Sequence, residues 1–266
     1  MPDTHAKPLV EYERSDNIVT LTLNRPEKLN AFSDELVGAL ADALRRFDID
    51  AAAHVAIICG RGRAFSSGAD VQQRQLRKRE EFEALGGPQG WGTNSFDLLT
   101  RAVNWKPVIA AAHGYVMGLA VGIVFDCDLI VAEANTKFQI TETGRGLGGA
   151  KYWATLAHRG GGAFANEVAL TGRFFTAEEA AAHNLINRVA PEGMHLPVAM
   201  ELARSVAANP PLSVRSTVRV RRWHMAQHTR EVINMTAGEK LYLTEDFHEA
   251  ARAFAEKRKP APFRGR

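Results

Sequence analysis

The feature that most constrains this chain is the run at residues 107–128, P-V-I-A-A-A-H-G-Y-V-M-G-L-A-V-G-I-V-F-D-C-D. Residues 108–112 carry no polar side chain and read as a strand buried on both faces. His113-Gly114-Tyr115 breaks that strand. Gly118 then opens a second apolar run, residues 119–125, with Gly122 inside it. A strand that turns through glycines into a buried helix leaves unpaired backbone N–H groups at the helix start. Such donors can hold a developing negative charge, so what they face matters most for function.

The flanking sequence alternates strand and helix signals. Residues 18–23 alternate apolar and polar, as a half-buried strand does, and a turn at Asn24-Arg-Pro-Glu-Lys follows. Ser33 is placed to cap a helix alone, because the capping-box position is Leu36 and Glu35 comes one residue early. Apolar residues at helical spacing predict a helix over 34–47. A buried strand over 55–59 leads into the glycine-rich loop 60–70. The charged stretch 71–85 predicts a solvated helix, 86–93 a loop, and 96–103 another helix. Beyond the central run, strands are expected at 129–132, 136–140 and 185–189. Helices are expected at 163–170, 177–183, 197–208, 213–228, 232–244 and 245–257. Strand-plus-helix units thus fill the first ~190 residues and helices the rest, the pattern of parallel-type strands covered by helices. We divide the chain into a core, 1–195, and a helical C-terminal region, 196–266.

Composition narrows the function classes. The chain has 266 residues, 45% hydrophobic and 24% charged, enough for a sizeable core. Its net charge of +3 is concentrated near the C-terminus, in Arg252, Lys257, Arg258, Lys259, Arg264 and Arg266. A weakly basic surface suits an anionic small ligand and is compatible with loose nucleic-acid contact. Cys59 and Cys127 lie in apolar surroundings without metal-site spacing, as expected of buried thiols in a reducing compartment. Residues 1–8 have no apolar core of a signal peptide, and no apolar run approaches ~18 residues. A cytoplasmic protein that does not enter a membrane is expected. The nine histidines form no H-E-x-x-H or Cys/His cluster, so no metal is expected. Gly144, Gly146 and Gly149 match the letters of a dinucleotide fingerprint, but no long strand leads into them. Gly118 and Gly122 match a membrane dimer motif in too short an apolar segment. No G-x-S-x-G elbow is present.

Five separated segments together resemble the enoyl-CoA hydratase/isomerase, or crotonase, family. They are L-N-R-P-E-K-L-N-A-F at 23–32, R-A-F-S-S-G-A-D-V at 63–71, the central run with its C-D ending, L-T-G-R-F-F-T-A-E-E-A-A-A-H-N-L-I-N-R-V at 170–189, and F-A-E-K-R-K-P at 254–260. The resemblance implies an α/β fold, a crotonase-like spiral of ββα turns with a helical C-terminal part, assembled as a homotrimer or a dimer of trimers. It also implies an acyl-CoA substrate, with coenzyme A part of that substrate and no further cofactor. By position, the backbone amides of Ala69 and Leu119 would receive the thioester oxygen and stabilise its enolate. Lys28, Ala31, Ser67, Gly68, Asp70, Gly118, Gly122, Phe254 and Lys257 match substrate-binding positions, with Lys28 offering charge, the Ser67 carbonyl facing adenine, and Phe254 and Lys257 reaching the nucleotide end.

The carboxylates depart from the family pattern. Hydratases of the family hold one water with two glutamates. The second matches Glu142; the first falls on Gly122, which has no side chain. Asp126 lies a helical turn further on and reads as structural, as does Asp128. One carboxylate can shuttle a proton between two carbons, as an isomerase does, and the missing side chain at Gly122 leaves space for a bulky acyl group. For Glu142 the competing reading is a surface or helix-entry carboxylate; for His113, packing or a pocket donor; for Arg145 and Lys151, binding an acidic acyl group or facing water. The expected function is hydration or double-bond isomerisation of an enoyl-CoA, with Glu142 as acid and base. The alternatives are CoA-ester hydrolysis, decarboxylation or hydratase-lyase chemistry on a bulky acyl-CoA, or a non-catalytic relative that binds CoA esters or RNA, nucleic acid being the least favoured partner.

Overall fold

A computed structural model describes residues 7–88 and 105–266. In chain order the elements are β1 (Val10–Ser15), β2 (Ile18–Leu23), α1 (Asp34–Ile49), β3 (Val55–Gly60), α2 (Val71–Arg74), α3 (Arg79–Leu85), β4 (Val108–Ala112), β5 (Tyr115–Met117), α4 (Leu119–Asp126), β6 (Leu129–Glu133), β7 (Lys137–Gln139), α5 (Ala150–Arg159), α6 (Gly162–Thr171), β8 (Phe174–Thr176), α7 (Ala177–Ala182), β9 (Arg188–Ala190), α8 (His195–Ala207), α9 (Pro211–Thr236) and α10 (Glu245–Ala255).

The larger sheet has the order β1-β2-β3-β4-β6-β9. β1 and β2 form an antiparallel hairpin, and every later pair in that sheet is parallel. Parallel neighbours need crossover connections, which α1 supplies between β2 and β3 and α4 between β4 and β6. A smaller sheet, β5-β7-β8, joins short strands that follow the larger ones. The central strands β3, β4 and β6 are buried on both faces, with the strand period of two deciding which side chain goes where. Ala56, Ile58, Val108, Ala110, Ile130 and Ala132 face the core shared with α1 and α4. Val55, Ile57, Cys59, Ile109, Ala111 and Val131 face α8 through Ala199 and Ala203. The helical C-terminal region is therefore joined to the sheet through α8.

Most predicted elements stand at or near their expected bounds, and Ser33 caps α1 by accepting the Leu36 N–H at 3.2 Å. The differences have physical causes. The stretch 71–85 is two short helices, because Asp70 and Lys78 each start a new one. The helices expected at 213–228 and 232–244 are one continuous helix ending at Thr236, and residues 241–243 form only a 3-10 turn. α5 was not expected, since its glycine-rich entry hides the apolar spacing. The strands β1, β5 and β8 were also missed: β5 and β8 have three residues each and carry almost no period, and β1, V-E-Y-E-R-S, is mostly polar. The helix expected at 96–103 and the end of the loop at 86–93 lie outside the described residues.

Candidate active site

Two backbone bridges fix the loop at residues 66–70. The N–H of Phe32 donates to the Gly68 carbonyl at 2.7 Å, and the N–H of Asp70 donates to the Phe32 carbonyl at 3.0 Å. A parallel bridge of this kind turns the N–H of the residue between, Ala69, to the opposite side. On that side the N–H of Ser66 donates to the Tyr115 carbonyl at 3.1 Å, and the N–H of Met117 donates to the Ser66 carbonyl at 3.2 Å. The loop thus lies between the 29–32 turn and β5. Gly68 has φ +93°, and a Cβ there would come 2.6 Å from the Met117 carbonyl oxygen and 3.7 Å from the Leu119 nitrogen. Only glycine permits that approach. Gly118, at φ +48°, donates its N–H to the Gln139 carbonyl at 2.9 Å and hands the chain into α4, whose first N–H is that of Leu119. Among the described residues, neither the Ala69 nor the Leu119 N–H donates to a protein acceptor. Two amide donors on converging loops make a cradle for an oxyanion.

Buried polar groups hold the cradle in shape. Asn30 is fully buried at φ +52°. Its amide donates to the Arg61 and Ala64 carbonyls, both at 2.9 Å, and its side-chain oxygen accepts the Arg25 N–H. The Ser66 hydroxyl donates to the Asn30 carbonyl at 2.8 Å and accepts the Gly68 N–H at 3.1 Å. Asp70 caps α2, and its carboxylate takes the Arg25 guanidinium at 2.7 Å, while Arg25 also donates to the Ala31 carbonyl at 2.9 Å. Lys28, Ala31, Ser67, Gly68, Ala69 and Asp70 therefore form one loop cluster beside Gly118 and Leu119, with Lys28 exposed. His113 is buried, its Nε2–H donating to the Gly62 carbonyl at 2.9 Å and its ring stacking on His195 with centroids 4.3 Å apart.

Glu142 completes the site. It follows β7 and begins the 3-10 turn Thr143–Arg145, in which the N–H groups of Arg145 and Leu147 both donate to its carbonyl at 2.9 Å. A Cβ on Gly118 would lie 3.2 Å from Glu142 Oε1 and 2.6 Å from Thr141 Oγ1. The carboxylate therefore rests against the residue that precedes the Leu119 amide. Burial pushes its carboxyl up to about 7, and a hydrogen bond with the Tyr152 hydroxyl pulls the other way. Tyr152 sits on α5, is buried, and has its own phenol held well above the usual range by burial and by Glu142. Gly122 is buried in α4, and Asp126 stands a turn beyond it, also buried and within electrostatic reach of Tyr152. Neither Arg145 nor Lys151 simply faces water: Lys151 is 9% exposed, and the Arg145 guanidinium carbon lies 3.6 Å from the centre of the Phe254 ring. Phe254 and Lys257 are exposed at the end of α10, with Phe254 covering Arg145.

Sequence reasoning singled out the amides and Glu142 but not Asn30, Ser66, Tyr152 or Arg74. Asn30 and Ser66 stand inside the matched segments; for Asn30, a polar residue between Leu29 and Ala31, the available signal was its apolar flanks. Tyr152 lacked one, because α5 was not expected. No group of three or more His, Cys, Asp or Glu residues suited to a metal occurs among the described residues. Among them no helix is long and apolar enough to cross a membrane.

Fold and site together define an α/β protein with two amide donors converging beside a buried carboxylate. The chain belongs to the enoyl-CoA hydratase/isomerase family, whose model matches residues 13–266, and that family is one of enzymes. It is 36% identical over 250 residues to the mevalonyl-coenzyme A hydratase of Aspergillus fumigatus, covering 92% of this chain and 90% of that one. It is 30% identical over 260 residues to the 2,3-dehydroadipyl-CoA hydratase of Escherichia coli, covering 95% and 97%. The structure of a carnitinyl-CoA dehydratase from Mycobacterium avium superposes with a TM-score of 0.81 at 29% identity, covering 98% of this chain and all of that one.

Proposed function

We propose that the protein catalyses the hydration of a 2-enoyl-CoA, or the reverse dehydration. The thioester oxygen is bound by the Ala69 and Leu119 amides, and Glu142 is the acid and base. The observation that carries this reading is the contact of the Glu142 carboxylate with the Gly118 turn, 3.2 Å from the Cβ position there. That contact supports a proton carrier beside the carbons next to a carbonyl held by the two amides.

Attack at C3 pushes an electron pair through the double bond onto the thioester oxygen, where two preorganised donors stabilise it. Each such donor is worth ~3 kcal/mol in the transition state. Ionised Glu142 accepts a proton from the water whose oxygen bonds to C3. Protonated Glu142 then returns that proton to C2 as the enolate collapses. A carboxyl held near 7 is available in both forms at neutral pH. Tyr152 orients the carboxyl through its hydroxyl. With one carrier on one face, the hydroxyl and the proton arrive on the same face.

Gly122 favours a second reading. Without the second carboxylate to hold water, Glu142 can take a proton from C2 of a 3-enoyl-CoA and return it to C4. The relatives named as hydratases support hydration over this isomerisation. No cofactor beyond the CoA ester belongs to either reading. Assembly as a trimer or pair of trimers in the cytoplasm is part of the proposal; exposed Leu212, Val220, Trp223 and Met235 on α9 offer apolar surface for it, and sedimentation measures it.

Turnover decides the matter. Purified protein is offered matched 2-enoyl-CoA and 3-enoyl-CoA esters, with Glu142→Gln beside wild type. Hydration of the 2-enoyl esters is expected, reduced ~100- to 10,000-fold in the variant while CoA-ester binding is kept. Conversion of the 3-enoyl esters alone selects isomerisation. No conversion by wild type, or none lost in Glu142→Gln, overturns the single-carboxylate mechanism. In Gly122→Glu, faster hydration is expected if the missing carboxylate limits the rate.

A further inference from the structure

Two guanidinium groups near the Glu142–Tyr152 pair are not fully used by the protein. Arg145 follows Glu142 by three residues, and its Nη1 is buried with no hydrogen-bond partner. Its guanidinium is stacked on Phe254 at 3.6 Å, which fixes its plane without supplying an acceptor. The one charged group that acts measurably on it is Glu142. Arg74 on α2 is 2% exposed. Its Nε donates to the Pro88 carbonyl at 3.3 Å and meets Asp34 Oδ1 at 3.4 Å, but its Nη1 is likewise buried without a partner. Arg74 is within electrostatic reach of Tyr152, as Arg145 is of Glu142.

Burying a cation with an unpaired N–H is costly. A fold keeps such a group where something outside the chain completes it. Glu142 is a poor permanent counter-ion for Arg145, because it must exchange its proton in every turnover. The vacant donors are guanidinium forks, suited to a planar carboxylate. Their neighbourhood is the acyl side of the site, since Glu142 itself touches the oxyanion turn.

We propose that Arg145 forms a subsite for a carboxylate carried on the acyl chain, so that the protein acts on CoA monothioesters of dicarboxylic acids. This rests on the acyl-CoA reading above and adds the class of acyl group. Arg145 binds substrate here and takes no part in proton transfer.

The test is binding first and turnover second. Dissociation constants are measured by calorimetry for three matched pairs of saturated esters: butyryl- and succinyl-CoA, hexanoyl- and adipoyl-CoA, octanoyl- and suberoyl-CoA. In at least one pair the carboxylate ester is expected to bind tenfold or more tightly, with that ratio falling to about one in Arg145→Gln and to an intermediate value in Arg145→Lys. Free CoA should bind both variants as it binds wild type. In turnover of the corresponding 2-enoyl esters, Arg145→Gln should raise KM for the carboxylate substrate by a larger factor than for the alkyl substrate. Equal affinity within all three pairs overturns the subsite, even if hydration of the alkyl ester proceeds. Equal loss of free-CoA affinity in Arg145→Gln also overturns it, by assigning the cation to the CoA phosphates. Discriminating binding with no turnover leaves the subsite standing and removes the hydration reading instead. Should Arg145→Gln fail to fold, the wild-type ratios and Arg145→Lys still decide.

Discussion

Glu142 titrates far from its ordinary value of 4.5 because burial disfavours its charge more than Tyr152 and the local backbone favour it. Below the unfolded value, both folded and unfolded chains hold the proton. As pH rises toward the folded value of about 7, the unfolded chain ionises first and stability falls. Glu142→Gln should therefore gain stability over wild type between pH 5 and pH 8, by on the order of 1–3 kcal/mol. Urea unfolding at the two pH values measures it; an equal difference at both would mean that the carboxyl is not buried in solution. Under the proposed mechanism the same titration governs the reaction. Hydration needs ionised Glu142, so kcat/KM should fall as pH drops below about 7. Tyr152→Phe removes a hydrogen bond that lowers the carboxyl's value, so the acid limb should move upward in pH, cutting activity at pH 6 roughly threefold to tenfold. A pH–rate profile of the variant reads this directly.

At the scale of elements, the site depends on two glycines that let chain segments touch. Gly118 combines φ +48° with ψ −118°, and a methyl there would strike Thr141 Oγ1 at 2.6 Å and the Glu142 carboxylate at 3.2 Å. Gly118→Ala should abolish turnover and cost about 1–3 kcal/mol of stability. The element around it, α4, is apolar on all sides and buried throughout, so its start cannot shift to absorb the clash. Circular dichroism with an activity assay checks both parts; an active, stable variant would mean that the Gly118 turn is looser than described. α10 illustrates the opposite case. Its inner face, Phe247, Ala250, Ala251 and Ala253, is buried, while Phe254 at its end reaches Arg145 and stays half exposed.

On the scale of the whole molecule, Asp128 joins parts far apart in sequence. It accepts the Val108 N–H at 2.8 Å at the start of β4, and it takes both Arg221 and Arg222 from α9. Arg222, 1% exposed, also donates to the Lys106 carbonyl at 2.9 Å, and Lys106 Nζ donates to the Phe47 and Asp50 carbonyls at the end of α1. Sheet, α1 and α9 thus share one charged joint. Desolvation opposes the Asp128 charge, and the two arginines still hold its carboxyl below the usual range. Asp128→Ala strands a buried guanidinium and should destabilise the fold by about 3–5 kcal/mol. Denaturant unfolding monitored by tryptophan fluorescence tests it; a loss below 1 kcal/mol would make the joint dispensable.

What the sequence by itself determined follows from local rules. β2 and β4 are read correctly from side-chain period, and the Ser33 cap from one hydroxyl. The turn at Gly118 is read from glycine spacing, and the proposed roles of Glu142 and Gly122 come from the resemblance to a family. Such features are local, so the residues that make them are also the residues that announce them. Only the tertiary structure decided which distant groups meet. Tyr152 reaches Glu142 because α5 packs there, Asn30 is buried because three loops close over it, and Arg145 lies under Phe254 because α10 folds back across the 3-10 turn. None of these residues sits at a spacing that signals its partner. The contacts arise from packing a long chain into one core, where side chains separated by more than a hundred residues become neighbours and where burial, not residue type, sets the charge state of the Glu142 carboxyl.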